Sequence, residues 1–144
     1  SLPLDHDWRF VVVVPDEGLA TADARAVLPA AVPMADAVAN LAAMGLLVAG
    51  LADARAFVRG SMADRLHQPY RESLVPFARD LLDGLLDAGA VGSCWSGAGS
   101  SMLGLCLVSD AGHVESAARA FLSDRGIAGD VFNLDADHSG LVTM

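Results

Sequence analysis

Residues 91–108 place the strongest constraint on how this chain folds. Two short apolar runs flank a loop of six small residues, Ser96-Gly97-Ala98-Gly99-Ser100-Ser101. Small residues let a backbone adopt positive φ and approach a ligand closely, and successive N–H groups in such a loop can form an anion-binding concavity. The segment predicts a β-hairpin, and two interpretations of its loop stay open: a ligand site, or a connection without one.

The rest of the chain supplies two further strands and several helices. Val11–Val14 is an unbroken β-branched run, typical of a strand covered on both faces or central in a sheet. Residues 127–134 predict a last main strand, and residues 140–144 a short terminal one. Caps, proline positions and apolar spacing predict helices in the intervals, over 22–28, 33–51, 54–59, 74–88 and 111–125.

This order of elements predicts an α+β fold. It is the β-α-β-β-α-β plan of ferredoxin-like sandwiches, with an antiparallel sheet and a multi-helix insertion in the first crossover. The long helix after Pro33 has little polar surface, so we expect it to be buried on most sides. No uninterrupted apolar run approaches the length of a membrane span, and no membrane partner is expected.

The charge balance excludes several classes of function. The chain of 144 residues has a net charge of −9, which argues against a sequence-independent grip on nucleic acid. All nine of its cationic side chains are arginines, so a phosphate-binding or Schiff-base lysine is absent. Cys94 and Cys106 lie in apolar runs and are expected to be buried thiols, although a disulfide stays open and no metal-ligand spacing is found.

Four stretches together resemble a known family. They are Val11–Asp16 leading into Thr21–Pro29, Asp36–Leu41, Arg65–Arg71 followed by Leu74–Pro76, and Ser96–Ser100. In this order they resemble the carboxy-terminal domain of the GHMP-superfamily small-molecule kinases, and most of all that of the homoserine kinases. The chain departs from the family at Ser100, where a proline is usual, and at Trp95, where a smaller aliphatic residue is expected. Serine leaves φ free, so a looser loop is expected.

The resemblance implies roles for particular residues. By this resemblance, Arg25 and Arg71 would be the substrate-binding residues and would hold the carboxylate of L-homoserine. Planar guanidinium groups suit that task because they pair bidentately with carboxylates. The alternative is that both are surface arginines at helix ends. The loop of Ser96, Gly97, Ala98, Gly99, Ser100 and Ser101 would lie at the floor of the active site. Asn40 and His67 are minor candidates, and we expect no catalytic residue and no metal ligand in this chain.

The resemblance also implies a longer parent enzyme. In the family an amino-terminal GHMP domain binds ATP and Mg²⁺, and the enzyme is a cytoplasmic phosphotransferase, expected as a homodimer, in threonine biosynthesis. This chain begins with Ser1 rather than Met, so we expect it to be a piece of a longer product. It has no second glycine-serine loop like the one that binds ATP in the family, so the resemblance implies a single carboxy-terminal domain, residues 1–144, which binds no ATP and is inactive alone. Three alternatives stay open: a GHMP kinase with another acceptor, a stand-alone small-molecule-binding or regulatory ferredoxin-like module, and a purely structural or dimerising domain.

Overall fold

The computed structural model describes residues 3–140, and its centre is a four-stranded antiparallel sheet. The strands are β1 (Trp8–Pro15), β2 (Gly92–Trp95), β3 (Met102–Leu107) and β4 (Gly129–Leu134). Their order across the sheet is β2-β3-β1-β4, which places the valine-rich β1 between two neighbours. Val13, for example, lies opposite Met102 on one side and Val131 on the other. The predicted ferredoxin-like α+β fold is confirmed.

Five α-helices connect these strands. They are α1 (Thr21–Ala26), α2 (Met34–Ala52), α3 (Gln68–Arg71), α4 (Ala78–Asp87) and α5 (Ala111–Asp124). Two 3-10 turns, Ala54–Ala56 and Glu72–Leu74, complete the helical insertion between β1 and β2. The buried core lies between one face of the sheet and helices α4 and α5, where Val11, Leu81, Leu85, Met102 and Val114 are almost fully enclosed.

The start of α4 differs from the sequence prediction. The helix expected from residue 74 begins only at Ala78, since Val75 is extended. A residue that precedes a proline avoids the helical region, and Pro76 therefore delays the start of α4. The terminal strand predicted for residues 140–144 lies outside the described residues beyond Gly140.

The prediction that α2 is buried on most sides was wrong. Gly50 is its one buried residue, whereas the side chains of Met34 and Leu41 are 79% and 74% exposed. The helix is held at its C-terminal end, where the Trp8 indole N–H donates to the carbonyls of Gly50 and Leu51 at 3.2 Å. Apolar composition predicted burial, but the described elements reach only one side of this helix. By length and mean hydropathy, 1.7 over its most apolar window, α2 could also span a membrane.

Candidate functional site

A buried arginine stands at the centre of the candidate site. Arg71 ends helix α3 and is only 8% exposed. Its Nε donates to the carbonyl of Ala24 at 3.0 Å, and its Nη1 donates to the carbonyl of Gly97 at 3.1 Å. The same Nη1 lies 3.2 Å from Nδ1 of His67. One guanidinium thus joins helix α1, the glycine loop and helix α3.

The charge of Arg71 has no acidic counterpart in the described part of the chain. Six arginines form ion pairs there, whereas Arg25, Arg59 and Arg71 form none. The Nη2 atom of Arg71 also makes no hydrogen bond to residues 3–140, which leaves two donors unused. Buried charges in proteins are normally paired. The unused edge of this guanidinium therefore suits an anionic ligand.

Arg25 lies next to this centre along the chain. It follows Ala24, whose carbonyl accepts the hydrogen bond from Arg71 Nε. Ala24 is fully buried and fixes the backbone, while the Arg25 side chain is exposed. The structure therefore brings the backbone of Arg25 to Arg71 and leaves its guanidinium available to a ligand.

A single carboxylate, that of Asp64, orients helix α3. Its Oδ2 accepts hydrogen bonds from the backbone N–H groups of His67 at 2.8 Å and Gln68 at 2.6 Å, and its Oδ1 accepts from Leu66 N at 3.1 Å. Asn40 Nδ2 donates to the same Oδ1 at 2.6 Å. Burial raises the pKa of Asp64, but these hydrogen bonds outweigh it and hold the pKa below its usual value.

The two minor candidates have different surroundings. Both polar atoms of the Asn40 amide form hydrogen bonds within the chain: Nδ2 donates to Asp64, and Oδ1 accepts from the backbone N–H of Arg65 at 2.9 Å. Asn40 therefore ties α2 to the turn before α3. His67 lies beside Arg71, and its side chain is 38% exposed. The contact with Arg71 is a hydrogen bond when His67 Nδ1 carries no proton and accepts.

The glycine loop is anchored at several points. Gly97 and Gly99 have φ values of +64° and +93°, which a side chain disfavours. A Cβ on Gly99 would also lie 2.5 Å from the Trp95 ring, so the bulky Trp95 fits because position 99 is glycine. Ser100 is buried, and its hydroxyl donates to the carbonyl of Glu17 at 2.7 Å. Ser100 thus anchors the loop through a hydrogen bond that a proline could not make.

The sequence predictions missed the supporting residues Asp64 and Gln68. Gln68 Oε1 accepts the backbone N–H of Trp95 at 2.8 Å and so joins α3 to the end of β2. A signal for Asp64 was present, since an acidic residue shortly before a helix with proline in its first turn is a capping pattern. Nothing in the local sequence around Gln68 indicated its partner, which lies 27 residues away.

The cysteines take no part in this site's hydrogen bonds to Arg71. Both are free thiols, and the disulfide left open by the sequence is not formed. Burial raises the pKa of each thiol to about 11, and neighbouring carboxylates act in the same direction. Neither Cys94 nor Cys106 is therefore an activated nucleophile. Within residues 3–140, no three His, Cys, Asp or Glu side chains are grouped to hold a metal ion.

Comparison with known proteins shows what this chain is similar to. The family model described as "GHMP kinases C terminal" matches residues 38–128. The chain is 37% identical over 145 residues to a homoserine kinase of Microchaete diplosiphon, covering 100% of this chain and 47% of the relative. It is 49% identical over 105 residues to a homoserine kinase of Gloeobacter violaceus, covering 69% of this chain and 35% of the relative.

Solved structures show the same likeness. A homoserine kinase from Cytophaga hutchinsonii superimposes with a TM-score of 0.85 at 31% identity, over 92% of this chain and 42% of its own. A phosphomevalonate kinase from Streptococcus pneumoniae superimposes with a TM-score of 0.65 at 14% identity, which shows a shared fold alone; 92% of this chain and 41% of that one are covered. The chain spans less than half the length of the curated relatives it matches.

Proposed function

Because this chain belongs to the GHMP kinase family and matches the C-terminal domain of that family, we propose that residues 1–144 are the acceptor-binding domain of a homoserine kinase. The longer protein would transfer the γ-phosphoryl group of ATP to the side-chain hydroxyl of L-homoserine, in the cytoplasm and as a step of threonine biosynthesis. The relatives named homoserine kinase support this proposal, since one of them aligns with the whole of this chain.

The observation that carries the proposal is the buried Arg71 guanidinium without a carboxylate partner in residues 3–140. Its Nη2 edge is unused, and a substrate carboxylate would supply the missing negative charge. A charge-assisted pair of this kind is strong and geometrically specific. Because three hydrogen bonds already fix the guanidinium, little side-chain entropy remains to be lost when a ligand binds.

Arg25 would complete the carboxylate site. Its side chain is exposed and forms no ion pair in the described part of the chain. Two guanidinium groups meeting one carboxylate fix both the position and the rotation of a small amino acid. Such fixing matters for phosphoryl transfer, which depends almost entirely on positioning and electrostatics.

The glycine loop would form the wall against which the acceptor lies. Its Gly97 carbonyl receives Arg71 Nη1, so the loop and the proposed carboxylate site move as one unit. The loop is closed by a hydrogen bond from Ser96 N to the Ser101 carbonyl at 2.9 Å. A rigid wall next to the carboxylate site would hold the acceptor hydroxyl in one direction.

ATP and Mg²⁺ belong, in this proposal, to the part of the longer relatives that this chain does not span. The chain has no lysine, and residues 3–140 contain no cluster of three metal-ligating side chains. The residues described here therefore do not fit a complete nucleotide and metal site. They account for acceptor binding alone.

The test compares two exposed arginines in the longer protein. Arg25→Ala should raise the KM for L-homoserine by about 10- to 100-fold, the loss expected for a hydrogen-bonded charge pair. Arg59→Ala is the matched control, since Arg59 is also exposed and forms no ion pair among residues 3–140. Equal KM values for the two variants would overturn the assignment of Arg25.

A second acceptor class is favoured by one feature of the same site. Two arginines also suit a phosphate group, because a guanidinium pairs bidentately with either anion. Initial rates with L-homoserine, with mevalonate and with phosphomevalonate separate these classes. A preference for a phosphorylated acceptor would replace homoserine kinase by another GHMP kinase. Tight amino-acid binding by the 144-residue chain alone, without turnover in the longer form, would indicate a binding module instead.

A further inference from the structure

Helix α2 has its polar and apolar sides reversed relative to a helix on a protein surface. Its two polar side chains, Asp36 and Asn40, point toward the protein, where Asp36 pairs with Arg65 at 3.4 Å and Asn40 bonds to Asp64. Most of its large apolar side chains are exposed. A surface helix normally buries its apolar stripe and exposes its polar one.

The outward side forms a continuous apolar stripe, which we call the α2 face. It is defined by Met34, Val38, Leu41, Gly45 and Val48, spaced alternately by four and three residues so that all lie on one side of the helix. Every one of these residues is exposed, and none is charged. Such a spacing is the seam by which one helix packs against another.

The centre of the α2 face is shaped for close approach. A Cβ built on Gly45 would meet no atom within 4 Å, so nothing in residues 3–140 requires a glycine there. Ala42 and Ala49 flank it and are also exposed. Glycine in a helix interior costs stability relative to alanine. Small residues in the middle of an apolar stripe let a second backbone come near.

Helix α2 is also connected to the proposed acceptor site. Asn40 connects α2 to Asp64, the carboxylate that orients the helix of Arg71. Met44, 58% exposed, and His67 line the same cleft of about 250 Å³. Helix α2 thus forms part of this cleft through Asn40, Ala43, Met44 and Leu47, on the side of the helix beside the α2 face.

We propose that the α2 face is covered by the part of the longer protein that this chain does not span. This inference rests on the proposed function. Two observations favour that occupant: the curated relatives are about twice as long as the segment matched here, and helix α2 is tied through Asn40 to the turn that carries the proposed acceptor site. A phosphoryl donor must come within bonding reach of the acceptor, so the donor-binding half has to dock beside this site.

The occupant should present an apolar surface without charges at its centre. A charge placed against Leu41 and Gly45 would be desolvated without a partner, because no charged side chain lies on the face. Burying this stripe would supply much of the affinity between the two halves, since extended exposed apolar surfaces mark interaction sites.

Methionine oxidation tests this inference in the longer protein without a substitution. Hydrogen peroxide converts accessible methionines to sulfoxides, and Met34 and Met44 report on the α2 face and its edge while the fully buried Met102 is the internal control. The reference is the same protein unfolded in guanidinium chloride. We expect oxidation of Met34 and Met44 to be at least about 10-fold slower in the folded protein than in the unfolded one.

Four other results would overturn the inference. Oxidation of Met34 and Met44 at nearly the unfolded rate would show that the face stays exposed. Protection that grows with protein concentration would assign the face to a second copy of the chain. Protection that needs vesicles of phosphatidylcholine and phosphatidylglycerol would assign it to a membrane. A natural reading frame that encodes no further half would mean that the proposed occupant of the α2 face does not exist. Protection without homoserine-dependent ADP release would instead support this interface and refute the proposed substrate.

A pair of substitutions measures the same contact by stability. Leu41→Glu should lower the melting temperature of the longer protein by about 5 °C or more, because the charge would be buried at the interface. Val108→Glu changes an exposed valine outside α2 and should leave the melting temperature nearly unchanged. Equal melting temperatures for the two variants would contradict the docking of this face.

Discussion

Replacing Asp64 by asparagine should destabilise the protein by about 2–4 kcal/mol. The two oxygens of Asp64 accept four hydrogen bonds, from Asn40, Leu66, His67 and Gln68. Asparagine keeps the shape but offers one oxygen, so two buried donors lose their acceptor at about 1–2 kcal/mol each. Urea unfolding measures the change, with Asp87→Asn as control because that carboxylate is exposed.

The pH dependence of this difference gives a sharper test. Hydrogen bonds to the charged form lower the pKa of Asp64 in the folded state. Its contribution is therefore complete above the unfolded value near 3.8 and is lost as pH falls through the lower folded value. The stability gap between wild type and Asp64→Asn should narrow as the pH drops below about 4. A gap that is constant with pH, or a loss equal to that of Asp87→Asn, would refute the role given to this carboxylate.

Two other perturbations follow from the structure. Gly99→Ala should destabilise the protein by about 2–4 kcal/mol in urea unfolding, since the methyl group would strike Trp95 at a positive φ. Gly112→Ala meets open space and should change stability by less than about 1 kcal/mol; similar losses for both would contradict the packing under the loop. With a pKa of about 11, the two thiols should resist Ellman's reagent at pH 7 until the protein is unfolded. A fast-reacting thiol in the native protein would contradict the raised pKa values.

The sheet could be predicted from the sequence because its signals are local. The run Val11–Val14 indicated a central strand, and the hairpin loop between Trp95 and Met102 marked the joint of β2 and β3. The element order then left one plausible plan, which the strand order confirmed. The start of α4, however, was predicted wrongly. Ser73 is a capping residue and favours a helix that begins at residue 74, but Val75 precedes Pro76 and is extended, so the helix begins only at Ala78.

Burial was harder to predict because it depends on what surrounds an element. The composition of α2 matched that of a core helix, yet Leu41 is 74% exposed in this chain. Arg71 shows the opposite case, since a charged residue predicted to bind substrate is itself buried and holds Ala24 and Gly97 in place. Arg71 joins three segments through contacts with residues far away in the sequence. Asp64 orients α3 through the geometry of its side chain, which the sequence pattern does not specify.

The most direct test of the central claim is homoserine-dependent release of ADP from ATP, measured on the natural reading frame and on this 144-residue chain in parallel. We expect release from the longer protein only, and only when L-homoserine is present. Release by the 144-residue chain alone would contradict its assignment as the acceptor half. If the longer protein releases no ADP in the presence of L-homoserine, the assignment of this site to the homoserine carboxylate is contradicted.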